Sequence, residues 1–384
     1  MMLLALKMLT GDRAKYFGIL VGLSFASLLI TQQGAIFLGL TARTYQFIQD
    51  TGPADLWIMD PEMEHHSDSK RMLETSLTRA RGVDGVEWAV PMYRAFASLR
   101  LPSGATRSCI MVGVDDASLV GLPSEFVEGS ADGLRREGGV LVDHATLAGS
   151  LGVKGLDGTK RALTMGDVLE LNDKRATVVG VYRQKPSFFW EPTIYTTYPR
   201  AKAFAPQQRR LLTFVMVKVK PGIDVETVQR NLVEATGQMA LTATQFKTKT
   251  AMYILTQTGI LINFAIAIGL GFLVGAAIAG QTFFNFVADN LRYFAALKAI
   301  GATDATISRM VMAQALAAGG MGFGLGSGAA ALFGNGVGES LAFSMPWPLV
   351  VFGAGMILTI SVIASYISAR KLHRLEPGMV FRAS

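Results

Sequence analysis

The chain has 384 residues, 50% hydrophobic and only 17% charged, with 41 glycines, one cysteine and a formal net charge of +7. Soluble domains carry roughly 25% charged residues, so this composition argues against an ordinary soluble enzyme. It also excludes a disordered chain, which could not carry so much apolar mass. The single Cys109 excludes an internal disulfide framework.

The apolar residues are bunched. Phe17 to Leu40, Tyr253 to Val287, Val311 to Val337 and Pro348 to Tyr366 are runs without a charge. A bilayer core takes roughly 20 apolar residues in a helix, so four membrane helices are expected. The first run is too long for the apolar core of a signal peptide and no small-residue cleavage site follows it, so it reads as retained. The expected partition is an N-terminal segment 1–16, first span 17–40, soluble domain 41–251, second span 252–284, loop 285–309, third span 310–334, short loop 335–347, fourth span 348–369 and tail 370–384.

Orientation is read from Lys and Arg, which collect on the cytoplasmic side. Lys7, Arg13 and Lys15 precede the first span, Arg292, Lys298 and Arg309 lie between the second and third, and Arg370, Lys371, Arg374 and Arg382 follow the fourth. Against them stand Asp12, Asp289, Asp304 and Glu376, while the loop from Gly338 to Trp347 holds Glu339 and no Lys or Arg. Both termini and the 285–309 loop are therefore expected in the cytoplasm and residues 41–251 outside it. The basic balance follows from topology and gives no reason to expect nucleic-acid binding.

Within residues 41–251, strand-like runs rich in β-branched and aromatic residues occur at Ala54–Met59, Val86–Tyr93, Ala95–Leu101, Cys109–Val114, Arg175–Tyr182 and Leu211–Val219. Helical stretches are expected at Lys70–Ala80 and Asp224–Thr236, the second with Asp224 as N-cap and Val225, Val228, Leu232 and Ala235 at helical spacing. The fold class is thus an α-helical membrane protein with four spans and a large extracytoplasmic α+β domain between the first two. From Thr242 the chain is expected to run as one helix straight into the second span, forming a stalk.

Catalytic motifs are scarce. Gly155 to Lys160 looks like a phosphate loop but misplaces its glycine and lysine, and reads as a turn. Glu62-Met-Glu-His-His66 gathers carboxylates and imidazoles, but neighbouring His65 and His66 point to different sides of a helix or strand. An exposed polar loop is the expectation there, with no metal. Cys109 in a strand-like run reads as a small buried hydrophobe.

The 285–309 loop is the most informative stretch. In Asn285-Phe-Val-Ala-Asp-Asn-Leu-Arg-Tyr-Phe-Ala-Ala-Leu-Lys-Ala-Ile-Gly-Ala302, residues Leu291, Phe294, Leu297 and Ile300 recur at helical spacing. Gly301 suits a left-handed cap, and Thr303 or Asp304 can cap the next helix. Such an amphipathic helix either lies on the lipid surface or docks into a partner. Small-residue seams occur at Gly18 and Gly22, at Gly271 and Gly275, and at Gly320, Gly324 and Gly328. They allow close helix approach, within one chain or in a homodimer.

The block Phe294-Ala-Ala-Leu-Lys-Ala-Ile-Gly-Ala302, between two membrane helices, resembles the coupling helix of MacB/FtsX-type ABC transporter permeases. The ending from Ala369 to Phe381 resembles that family's basic tail and acidic-Pro step. The glycine-rich Gly269–Gln281, the segment Ala54–Pro61 and the stretch Val179–Phe189 look most like the DevC group. The resemblance implies a non-catalytic subunit without its own cofactor, driven by two copies of a cytoplasmic ABC ATPase that binds the ATP. It makes Asp289, Arg292, Phe294, Leu297, Lys298, Ile300 and Gly301 the ATPase-coupling residues, with Leu297 as anchor and Arg292 and Lys298 facing acidic groups. It further implies a homodimer in the bacterial inner membrane, a periplasmic adaptor, an outer-membrane channel, and a lipid, glycolipid or other amphiphile as cargo. Two rival readings share the architecture: a haem or small-hydrophobe exporter, and an FtsX-like transducer that activates a cell-wall hydrolase.

Overall fold

The computed structural model describes residues 2–68, 70–154, 159–186, 188, 191–207, 211–337 and 341–373. The acidic-Pro ending with Arg374, Glu376, Phe381 and Arg382, most of the 155–160 turn, Glu339 of the short loop, and Ser187 and Phe189 lie outside these residues. The chain divides into two compact units, one of residues 1–40 and 258–384 and one of residues 41–257.

In chain order the elements begin with helices α1 (Met2–Gly11), α2 (Arg13–Thr44) and α3 (Gln46–Asp50). Strand β1 (Leu56–Met59), helix α4 (Thr75–Arg81), and strands β2 (Val86–Arg100), β3 (Thr106–Val114), β4 (Glu125–Gly129) and β5 (Gly139–Asp143) follow. The short β6 (Val153–Lys154) and β7 (Lys160–Arg161) pair with each other and precede β8 (Val168–Leu171), β9 (Lys174–Arg183), β10 (Thr193–Thr197) and helix α5 (Tyr198–Phe204). The domain closes with β11 (Phe214–Val219), α6 (Val225–Thr236), β12 (Met239–Thr242) and α7 (Ala243–Gln257). Last come α8 (Ile260–Asp289), α9 (Leu291–Ala299), α10 (Asp304–Val337) and α11 (Trp347–His373).

Helices α2, α8, α10 and α11 are each long and apolar enough to cross a membrane. Their inner faces share a core that includes Ile19, Leu23, Ala26 and Ile30 of α2, Ala279 and Phe283 of α8, Val311 and Ala315 of α10, and Ile357 and Ile360 of α11. Outward, α8 exposes Ile262, Ile266, Leu270 and Leu273. A stripe of bare aliphatic side chains on a helix whose backbone is internally bonded suits lipid and not water. Glycines at the inner faces set the approach distances. A Cβ at Gly275 would meet Ala26 Cβ at 2.4 Å, and one at Gly326 would meet the Ser24 carbonyl oxygen at 2.3 Å.

The inserted domain is built on a mixed ten-stranded sheet ordered β12-β1-β11-β2-β3-β10-β5-β9-β4, with β8 pairing β2 and β9. Among the described strands, β10 with β3 and β5 with β9 pair in parallel and the other pairs are antiparallel. The 15-residue β2 is shared by two halves: residues 86–92 pair with β11 and residues 93–100 with β3. Both faces of the sheet are covered, which is why β1 reads Leu-Trp-Ile-Met without alternation. Leu56 and Ile58 face one core with Val228 and Leu232 of α6. Trp57 and Met59 face the other with Phe47, Phe214 and Phe246. Helix α6 starts as expected: the Asp224 carboxylate accepts the Thr227 N–H at 2.9 Å and left-handed Gly237 ends it. The two strand runs expected at 86–93 and 95–101 are one strand, because Arg94 continues the ladder between them.

The Glu62–His66 segment is not simply an exposed loop. Glu62 pairs with Lys70 at 2.8 Å on the surface, but His66 is 2% exposed and Arg94 4%. His66 Nε2 lies 2.8 Å from the Thr44 carbonyl. A carbonyl only accepts, so Nε2 carries the proton and Nδ1 accepts from the Ser67 hydroxyl at 3.0 Å. Arg94 Nη1 donates to Ser67 Oγ at 2.9 Å and to the His66 carbonyl at 2.8 Å. Its guanidinium lies 4.5 Å from the centroid of the Phe47 ring. Burial pulls the Arg94 guanidinium down to about 10, which leaves it charged at neutral pH. Burial first, then the Arg94 charge, hold His66 well below the usual imidazole range. Cys109 is fully buried and its thiol is pushed up to about 12 by burial.

The His66 environment predicts a pH dependence. Arg94 and the adjoining His65 are the charged and titratable groups acting on it. His65, stacked on Tyr253 at 5.1 Å, is itself lowered by burial. The unfolded chain therefore binds these protons more readily than the folded one. Stability is complete above about pH 6.5, the free imidazole value, and falls as pH drops below it, by about 1.4 kcal/mol per pH unit for each proton. Thermal melts of the detergent-solubilised protein between pH 7.5 and 5 check this: the midpoint declines below pH 6.5, and His66→Gln flattens the decline.

Candidate functional site

The loop joining the second and third membrane helices is built from strong local signals. The backbone N–H and side-chain Nδ2 of Asn290 both donate to the Phe286 carbonyl, at 3.2 and 2.8 Å, and end α8. Helix α9 then runs for nine residues. At its end Gly301 has φ +104°. The Gly301 N–H donates to the Lys298 carbonyl at 3.0 Å and the Ala302 N–H to the Leu297 carbonyl at 2.9 Å. This paired closure is a Schellman motif, and Leu297 and Ala302 make its apolar contact with the helical core. Thr303 caps α10, its hydroxyl accepting the Thr306 N–H at 3.3 Å.

The helix has two unlike faces. Phe294 is 1% exposed and Ala295 3%. Leu291 and Leu297 pack beside Phe294 against the membrane-helix core. Lys298 is largely covered and pairs with Asp304 at 2.7 Å. Asp289 pairs with Lys15 of α2 at 2.7 Å. Arg292, Tyr293, Ala296 and Ile300 form the outward face, with Tyr293 65% and Ile300 86% exposed. The structure thus gathers all seven expected coupling residues in one short region, but turns Leu297 and Phe294 inward and engages Lys298 and Asp289 within the chain. Tyr293 was absent from the expected set; its place one residue before the buried Phe294 is the signal for it. Ile300 shares the periodicity of Leu291, Phe294 and Leu297 yet faces out, because it sits at the C-cap, where the chain leaves the helix.

The glycine seams divide in the same way. Gly22, Gly271 and Gly275 pack α2 against α8, and Gly18 sits 3.7 Å from Thr282 by the same measure. Gly319, Gly322 and Gly326 of α10 pack against α11 and α2. Gly320, Gly324 and Gly328 face away from the described residues, none of which lies within 4 Å of an added Cβ.

The second connection between domain and membrane helices differs from the expected stalk. Helix α7 stops at Gln257 and α8 starts at Ile260, separated by left-handed Gly259 at φ +68°. A left-handed residue cannot continue an α-helix, so this is not one unbroken helix. Among the described residues no group of three or more His, Cys, Asp or Glu is placed to hold a metal ion.

Comparison with known proteins bears on the same regions. The MacB-like periplasmic core domain model matches residues 17–235, and the FtsX-like permease C-terminal model matches residues 251–377. Among solved structures, the extracellular domain of the noncanonic ABC-type transporter YknZ from Gram-positive bacteria is 14% identical, with 50% of this chain and 99% of that chain covered at a TM-score of 0.36. The periplasmic region of MacB from Actinobacillus actinomycetemcomitans is 12% identical, covering 52% of this chain and 94% of its own at 0.38. A domain of a putative permease protein from Porphyromonas gingivalis is 15% identical, covering 50% and 81% at 0.32. No curated protein matches the chain. With one family model on the inserted domain and the other on the helices that follow it, the chain belongs to the MacB/FtsX-type ABC transporter permeases.

Proposed function

We propose that this permease couples ATP hydrolysis by two copies of a cytoplasmic ATPase subunit to export of a lipid, glycolipid or other amphiphile, acting as a homodimer with a periplasmic adaptor and an outer-membrane channel. Family membership implies the ATPase partner. The observation that carries the coupling assignment is α9: a capped helix, anchored on one side by Phe294 and Leu297, that leaves Arg292, Tyr293, Ala296 and Ile300 uncovered on the other. Docking buries the apolar Tyr293 and Ile300 and leaves Arg292 for an acidic group on the ATPase. The Lys and Arg distribution supports cytoplasmic termini and a cytoplasmic position for this face. The DevC-like segments support the adaptor and the amphiphilic cargo.

The open stripe of Gly320, Gly324 and Gly328 supports the homodimer, since it offers close approach to a second copy. Two substitutions separate the roles of the glycines. Gly326→Ala forces a methyl onto the Ser24 backbone and is expected to cost about 1–3 kcal/mol, read as a lower melting midpoint. At Gly324 an added Cβ has no described atom within 4 Å, so Gly324→Leu is expected to leave the midpoint unchanged and to convert dimers to single copies in native mass spectrometry.

A mild-detergent pull-down with mass spectrometry tests the exporter reading. An ATPase with a membrane-fusion adaptor supports it; an ATPase with a cell-wall hydrolase replaces it with a transducer.

A further inference from the structure

The two covalent connections between the inserted domain and the membrane helices are built differently. Helix α2 is unbroken from Arg13 to Thr44, and its last residues belong to the domain by their contacts. The Thr44 carbonyl is one of the acceptors that a helix end leaves unpaired, and it is buried and capped by His66. From there the hydrogen bonds run His66 to Ser67 to Arg94, a residue of the shared strand β2. Arg94 also holds α3, through its face-on contact with Phe47. Asp50, at the end of α3, accepts from Gln184 at 3.3 Å, and Gln184 in turn accepts from Tyr195 of β10 at 3.4 Å. The side chains making this chain of contacts are buried or half-buried. On the other connection, α7 is equally anchored, with Phe246, Thr250 and Ile254 buried, but the two residues that follow it lie outside any helix and one is the left-handed Gly259.

We infer that His66, Ser67 and Arg94 form a clasp that makes the first membrane helix the stiff strut through which motion of the membrane helices reaches the domain, and that Gly259 makes the second connection the pivot. His66 acts as a positioning residue: it touches neither cargo nor nucleotide, and it fixes the end of α2 to β2. One stiff connection paired with one that pivots turns a displacement of one helix into a tilt of the domain, whereas two stiff connections resist tilting. The inference rests on the reading that this permease transmits ATPase-driven motion outward, so its test has two arms.

The first arm uses the full chain alone, in detergent, and follows backbone hydrogen exchange. Amides of residues 46–50 are expected to exchange at least tenfold more slowly than those of residues 258–262. His66→Leu is expected to accelerate residues 46–50 at least tenfold and leave β11, residues 214–219, unchanged. If β11 also becomes unprotected, the variant has unfolded, and Ser67→Ala, which removes only the bridging hydroxyl, takes its place. Equal exchange at the two connections, or no effect of the variant that folds, overturns the clasp.

The second arm uses the complex with the ATPase subunit that copurifies with the chain. Nitroxides at Glu226→Cys in the domain and Trp347→Cys at the start of α11 report their separation with and without ATP. Buried Cys109 needs no replacement. An ATP-dependent change in distance is expected in the otherwise native chain, reduced at least twofold in the clasp variant. A full change in the variant overturns the strut while leaving outward transmission intact. No change in either protein removes outward transmission, and the inference with it.

Discussion

Ile300→Asp is expected to abolish stimulation of the partner ATPase while leaving the permease folded and inserted. Ile300 is 86% exposed at the end of α9, so the substitution removes no internal contact and changes stability by less than about 0.5 kcal/mol. Its effect falls on the interface. Burying a carboxylate where an aliphatic side chain docks costs several kcal/mol unless a partner is found, which is at least a hundredfold in binding. ATPase rates of the reconstituted complex give the readout. Leu297→Asp is the informative contrast. It places a charge against Phe294 in the helical core, so it also lowers the melting midpoint, whereas Ile300→Asp does not. Normal stimulation by the Ile300 variant would take the docking face away from α9.

Trp57→Ala is expected to be among the most damaging single changes in the domain. Trp57 is 1% exposed in the middle of β1. Its ring meets Phe214 at 5.6 Å, Phe246 at 5.7 Å and Phe47 at 6.2 Å between centroids. Those neighbours come from β11, α7 and α3, so one side chain fastens the strand to both helices that flank the domain's connections. Truncating a buried aromatic of this kind costs about 3–5 kcal/mol, lost transfer energy plus the cavity left behind. Denaturant unfolding followed by fluorescence measures it. Trp57→Phe, which refills most of the space, should recover more than half of the loss.

The membrane topology was legible because lipid imposes one requirement, an apolar run of sufficient length, and four charge-free runs meet it. The strands that could be read were those with several β-branched or aromatic residues in sequence, such as Cys109–Val114. Strand β10, Thr193–Thr197, is not legible in this way, because its five residues, three of them threonine, carry little apolar signal of their own and are buried through their neighbours β3 and β5. Helix α1 has no comparable signal, because a short apolar segment near a terminus does not differ in pattern from a flanking region. In α9 the periodicity groups Leu291, Phe294, Leu297 and Ile300, yet Ile300 faces out at the C-cap while the other three pack inward, because periodicity carries no information about which way a face turns. Orientation is set by long-range packing, here the helical core that takes up Phe294. The same limit applies to glycines: Gly275 and Gly324 sit in identical four-residue spacings, yet one meets Ala26 and the other meets none of the described residues. His66 was invisible as a helix cap because its acceptor, Thr44, lies 22 residues away.

The sharing of β2 between the two halves of the sheet has a consequence for how the domain comes apart. Residues 86–92 complete one half and residues 93–100 the other, so opening either half strips a single uninterrupted strand of one set of its ladder bonds. The two sets of bonds belong to different residues, so one half can open while the other keeps its own ladder. What the shared strand fixes is alignment: deleting one residue near its middle would slip one half against the other by one position and turn its side chains to the opposite face.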